Sequence, residues 1–200
     1  GLFQYSITEQ ILTSYDTLVD ANNSLCRLFT QELDQLTYMY TTDEELGSLL
    51  SMPVGNDRLE DLQTKSALNS RMAYTLNSQS ALSNKGFSSV LYVNPELPVS
   101  TLFRSNATVR GVSRLFSAEN FLNEDWYTYA LDQVARHYIF VDAKEGRLCF
   151  AKKLQNSHYS GPRLKDGVGV LLCSVPASRI PQIFSFHPLT ANSGFALFSF

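Results

Sequence analysis

The chain has little of what most enzymes and nucleic-acid binders display. It carries three cysteines, three histidines and one tryptophan in 200 residues. Cys26, Cys149 and Cys173 are odd in number, widely spaced and without a Cys-x-x-Cys pair, which argues against a disulfide framework. A bridge between Cys149 and Cys173 is the one pairing left open, beside the commoner reading of two buried free thiols in apolar strand runs. His137, His158 and His187 have no ligand-like spacing with one another or with the cysteines, so no metal site is expected. Charge is also sparse: charged residues make up 18% of the chain and the net charge is -3. No basic stripe offers a nucleic-acid surface. The longest charge-free run, Ile180 to Phe200, contains Pro181, Gln182, His187, Pro188 and Asn192, which rules it out as a membrane helix. Gly-x-Ser-x-Gly, His-Glu-x-x-His and the Gly-Lys phosphate loop are all missing, so no enzyme class is signalled and no cofactor is expected. The chain opens directly in helix-like sequence with no leader pattern. An exported or membrane-anchored parent would therefore contain it as an excised piece.

What is present is apolar material in two different rhythms. Hydrophobic residues make up 44% of the chain, enough for one ordinary core. From Ser6 to Tyr40, apolar residues recur at Ile7, Ile11, Tyr15, Leu18, Ala21, Leu25, Leu28, Phe29, Leu33, Leu36 and Met39. Gaps of three and four place them on one face of a helix about 50 Å long. Such a helix either packs along its own domain or pairs with a second copy to make a homodimer. Thr42-Asp-Glu-Glu45 reads as a capping box that starts a short helix through Leu50. Asp57 and Glu60 give a weaker start for another, carried by Leu59, Leu62, Ala67, Leu68, Met72, Ala73 and Leu76.

After Gly86 the rhythm becomes that of strands. Phe87 to Val93 and Leu97 to Phe103 read as a hairpin-like pair around Asn94-Pro95, with a further short strand within Val109 to Phe116. A helix between Asn123 and Ala135 carries Trp126 and Tyr127. Three strands follow: Tyr138 to Val141, Arg147 to Leu154 and Val168 to Val175. Gly146 supplies the positive φ for the loop between the first two. Pro176 to Phe184 reads as a short helix and Gly194 to Phe200 as a last strand. Helices before and within an antiparallel sheet make an α+β domain.

Candidate binding residues cluster around the Trp-Tyr helix. An exposed Trp126-Tyr127 pair facing a sheet can stack on a sugar ring or cover a small ligand; the other reading of both is core. Arg104, Arg110 and Arg114 flank the segment leading there, able to fork onto carboxylates or vicinal hydroxyls, or simply to be solvated. Tyr92 alternates with Leu91 and Val93 and so faces the opposite way. His137 begins a strand beside an apolar run and is either a ligand contact or a hydrogen-bonded core residue. Glu119, Glu124 and Asp125 fit the first-turn charges that a helix dipole favours.

With these residues in this order, the chain resembles the extracytoplasmic Cache (double-Cache, PAS-like) sensor domains of bacterial receptors. Its marks are the long first helix, the helix opening with Trp126-Tyr127, the hairpin Phe140 to Gly146, and Gly169-Val-Leu-Leu172 leading into Val175-Pro176. It is most similar to sensor regions of YesM-like histidine kinases of Firmicutes, with membrane-bound AraC-type regulators alike. The resemblance implies a long N-terminal helix plus a PAS-like antiparallel sheet flanked by helices. It implies a stalk helix over residues 1–40, a membrane-distal ligand-binding module over 41–178, and a connector into a membrane-proximal module over 179–200. It further implies an extracytoplasmic position, membrane attachment through flanking helices, and a partner that is either a small molecule, carbohydrate being a common association, or an extracytoplasmic solute-binding protein. Amino-acid-binding members place an Arg two residues before the Trp-Tyr pair, where this chain has Glu124. They also place an Asp near the end of the Gly-Val strand, where it has Cys173 or Ser174.

Overall fold

The computed structural model describes residues 2–53, 57–93, 102–104, 121–132, 136–161, 163–164 and 168–180. The expected strands over 109–116 and 194–200 lie outside them, as do most of the hairpin-like segment after Val93 and the end of the helix expected from Pro176.

Helix α1 spans Leu2–Thr42, 41 residues without a break. Its C-terminal half packs through Phe29, Leu33, Leu36 and Tyr40, all buried at helical spacing. Leu28, expected in the same seam, is instead exposed, as are Leu12 and Val19 further up the helix. Helices α2 (Glu44–Ser51), α3 (Arg58–Ser78) and α4 (Ser80–Asn84) follow. The cap of α2 is Asp43, whose carboxylate accepts the Leu46 N–H at 2.9 Å. Thr42 still belongs to α1 and Glu45 turns to Arg71, so the cap falls one residue later than expected and the expected capping box does not form. Asp57 caps α3 by accepting the Leu59 N–H.

Strands β1 (Ser88–Tyr92), β2 (Leu102–Arg104), β3 (Tyr138–Asp142), β4 (Arg147–Leu154) and β5 (Gly169–Pro176) form one antiparallel sheet in the order β2-β1-β5-β4-β3. The β3–β4 hairpin turns at Gly146, φ 60°, where a glycine carries no Cβ penalty. Helix α5 (Asp125–Asp132) follows a 3-10 turn at Phe121–Asn123.

Both faces of the sheet are covered, so every residue of β1 and all but the last of β5 are buried. One face carries Leu91, Leu148, Phe150, Leu171, Cys173 and Val175 against α1 to α4. The other carries Val90, Tyr92, Cys149, Ala151, Val170 and Leu172 against Phe121 and α5. The pleat sends Cys149 and Cys173 to opposite faces, and both are free thiols, so they form no bridge. The architecture is the expected α+β one: a long first helix and an antiparallel sheet flanked by helices.

The corner between α1 and α2 is fixed from the far end of β4. Asn156 Nδ2 donates to the carbonyls of Tyr40 and Asp43, at 2.8 and 3.0 Å. Gly47 lets that strand end approach; a Cβ there would collide with Asn156 Oδ1. Among the described residues no helix is long and apolar enough to cross a membrane.

Candidate functional site

Helix α5 is short, so its position comes from packing more than from propensity. Asp125 sits in its first turn, where the dipole favours a carboxylate. Trp126, Tyr127 and Ala130 point inward and are buried, while Tyr129 is half exposed. The small side chains of Cys149 and Ala151 on β4 leave depth for the indole.

The result is an aromatic cluster on one sheet face. Trp126 stacks on Phe140, with centroids 5.7 Å apart and planes 12° from parallel. It meets Tyr92 edge-on at 5.2 Å. Tyr92 also packs on Phe121 at 4.8 Å, and Phe121 on Tyr127 at 4.8 Å. Burial pushes the Tyr127 phenol above its ordinary pKa, so it stays a neutral donor and acceptor. Three of the expected residues, Tyr92, Trp126 and Tyr127, are thus brought together. All three are buried, as the core reading of the Trp-Tyr pair has it.

One atom in this cluster is out of balance. The Trp126 side chain is enclosed, yet its indole N–H has no hydrogen-bond partner among the described residues. An orphaned buried donor costs about 1–3 kcal/mol and calls for a physical reason. A ligand that supplies an acceptor is one such reason.

The remaining expected residues fall elsewhere. Arg104 ends β2, and its side chain is outside the described part. Arg110 and Arg114 lie outside the described residues altogether. His137 sits against α1 on the opposite side: its Nε2 is 3.4 Å from Thr37 Oγ1 and its Nδ1 is 3.5 Å from the Asp34 carboxylate. Burial first, and the neighbouring Lys152 second, lower its pKa to about 4 against the pull of Asp34, so it is neutral at pH 7.

That depression has a measurable sign. The folded state resists a proton that the unfolded chain takes up at its ordinary value of 6.5. Stability is therefore full above about pH 6.5 and falls as pH drops toward 4. Between pH 7 and pH 5 the loss is about 2 kcal/mol. Urea unfolding of the wild type and of His137→Gln across this range checks it: the wild type declines and the variant's curve is flatter.

Sequence reasoning passed over a third group on the aromatic face. Arg147 opens β4, and its guanidinium donates from Nε to Ser174 Oγ at 3.0 Å and from Nη2 to Ser88 Oγ at 3.1 Å. Nη2 also lies 3.3 Å from the Ser174 carbonyl. Both serines are buried. Arg147 and Cys149 share a strand face by the two-residue period, and Cys149 is the register partner of both Phe140 and Ser174. Ser174 therefore faces the aromatic side and Cys173 faces the helices. No cluster of His, Cys, Asp and Glu suited to a metal occurs among the described residues.

No family model matches the chain, and no curated protein sequence matches it significantly. Solved structures do. The extracellular domain of a protein assigned as a histidine kinase superposes with TM-score 0.51 at 17% identity, covering 92% of this chain and 68% of the other. The ligand-binding domain of a Pseudomonas aeruginosa amino-acid chemoreceptor in complex with GABA gives TM-score 0.40 at 18% identity over 86% of this chain and 68% of that one. The sensory domain of a Campylobacter jejuni chemoreceptor with isoleucine bound gives 0.36 at 14% over 88% and 65%. At these identities the likeness is one of fold, and it rests on the first: the chain has the fold of an extracellular domain of that kind.

Proposed function

We propose that this chain is the extracytoplasmic ligand-sensing domain of a membrane-bound signal-transduction receptor, without catalytic activity of its own. The observation that carries the reading is the orphaned indole N–H of Trp126 inside an aromatic cluster between α5 and the sheet. A donor left unsatisfied in the ligand-free chain is satisfied when a small molecule presents an acceptor there. The shared fold with an extracellular histidine-kinase domain supports a receptor of the two-component type, and the YesM-like resemblance narrows it further.

In this reading residues 41–178 hold the ligand, residues 179–200 lead into a membrane-proximal module, and residues 1–40 are the stalk. Adjacent residues of β1 offer a route between site and stalk. Ser88 touches Arg147 on the aromatic side, while Ser89 on the other side is 2.7 Å from the Tyr40 hydroxyl of α1. That hydroxyl also donates to the Met72 carbonyl of α3. A displacement of β1 on binding is thereby felt by α1. The ligand must favour one of two positions of the helix, or nothing is transmitted. Pairing of two copies along α1 would let the stalks move against each other.

A thermal-shift screen of the 200-residue chain against sugars, oligosaccharides, amino acids and organic acids tests the reading. A ligand at one hundred times its Kd adds about 2.7 kcal/mol, a shift of several degrees. The expected result is a hit that Tyr127→Ala abolishes. Silence across the panel with a well-folded baseline overturns direct sensing and favours docking of a solute-binding protein.

A further inference from the structure

Where α1 meets the free end of β4, two nitrogens from the sheet converge on one oxygen of the helix. Asp34 and Thr37 lie one turn apart on α1. His137 directly precedes β3, and Tyr138 pairs with Ala151, so the next residue across from His137 is Lys152. Lys152 Nζ is 3.1 Å from Asp34 Oδ1, and His137 Nδ1 is 3.5 Å from the same oxygen. The imidazole is enclosed and the Lys152 side chain nearly so, while Asp34 opens to solvent. Asp34 from α1 and Lys152 from β4 are the charged groups that act on the ring. Arg136, its neighbour in the chain, is exposed.

Counting protons shows a gap. Thr37 has one hydroxyl proton, and its nearer acceptor is the Leu33 carbonyl at 2.9 Å. Thr37 Oγ1 therefore faces His137 Nε2, 3.4 Å away, as an acceptor. A neutral imidazole carries a single N–H, and this contact draws it to Nε2. Nδ1 is then bare and faces a carboxylate oxygen. Two acceptors stand opposite each other, and a proton between them would bridge them. At pH 7 burial and Lys152 keep that proton out, and Asp34 Oδ1 accepts from Lys152 instead.

We propose that Asp34, His137 and Lys152 form a proton-operated latch between α1 and the sheet. In acid, one proton from solvent enters between His137 Nδ1 and Asp34 Oδ1, and the two groups titrate as a pair. No other covalent bond changes. The imidazolium takes the oxygen that Lys152 held and repels the ammonium beside it, which turns out to solvent. The tie on α1 thereby passes from β4 to the start of β3. The latch needs no ligand and goes beyond the sensing reading: it makes acidity a second input to the same helix.

The test follows the ring and the helix separately. Protein labelled with nitrogen-15 histidine is titrated by NMR from pH 7 to pH 3.5, the His137 signals being those lost in His137→Gln. The expected ring at pH 7 is neutral with its proton on Nε2. Its midpoint, about 4 in the wild type, should rise by about one unit in Lys152→Gln and fall in Asp34→Asn. A proton on Nδ1 at pH 7, or a midpoint indifferent to both substitutions, overturns the proposal. Spin labels at Tyr38→Cys on α1 and Val141→Cys on β3, both exposed positions, read the helix in a Cys26→Ser background. Their separation should change between pH 7 and pH 3.5, and should not change when His137→Gln is added. A constant separation across a completed ring titration overturns the latch. Should His137→Gln not fold, Lys152→Gln decides, because its change in separation should come at higher pH than in the parent; a change at the same pH overturns the proposal.

Discussion

Replacing Asp43 with alanine is expected to lower the unfolding free energy by about 3 kcal/mol. One carboxylate does three jobs at the junction of α1, α2 and α3. It caps α2 through the Leu46 N–H, it takes Arg71 Nε at 2.8 Å, and it accepts the Thr75 hydroxyl at 3.0 Å. Alanine removes the cap and leaves a half-buried guanidinium with the exposed Glu45 as its acidic neighbour. Burial alone would raise the Asp43 pKa, but hydrogen bonds from Arg71, Leu46 and Thr75 and the charge of Arg71 outweigh it, and the carboxyl is held below its usual value of 3.8. A depressed carboxylate stabilises above the unfolded pKa and loses that contribution as pH falls through the folded one. The gap between wild type and Asp43→Asn, measured by urea unfolding, should therefore be wide at pH 7 and narrower at pH 2.5. A gap that holds or grows in acid would contradict the assignment.

The second large effect separates the two halves of α1. Leu36 is completely buried and Leu12 is 58% exposed. Leu36→Ala should cost about 3 kcal/mol through lost burial and the cavity left behind, whereas Leu12→Ala should stay within about 0.5 kcal/mol. Denaturant midpoints of the two variants give the comparison. Equal losses would contradict the difference in burial between the two positions.

Much of this fold is legible in the chain because burial writes periodicity into sequence. Phe29, Leu33, Leu36 and Tyr40 announce a helix face, and the alternation of Tyr92 against Leu91 and Val93 announces which side of the sheet each residue serves. Local chemistry at boundaries was harder. Thr42 and Asp43 can both cap a helix, and the choice fell to Asp43 because Arg71 and Thr75, 28 and 32 residues away, need its carboxylate. For His137 the sequence left a ligand contact and a hydrogen-bonded core or edge residue open, because only its own strand was visible; Thr37, a hundred residues earlier, is what its ring meets. The same reasoning explains the silence about Arg147. Its partners Ser88 and Ser174 come from strands 59 and 27 residues away, and only sheet register places all three on one face. Of the arginines that the sequence singled out, Arg104, Arg110 and Arg114, none has its side chain among the described residues.

The central claim is that Trp126 meets a ligand with its indole N–H. Calorimetric titration of the ligand found in the screen, against wild type and Trp126→Phe, tests it most directly. Phenylalanine keeps an aromatic ring on Phe140 and removes the donor. The account predicts affinity lower by on the order of tenfold in a variant that still melts cooperatively. An unchanged Kd would mean that the orphaned donor is not what the ligand satisfies, and would move the site away from this face.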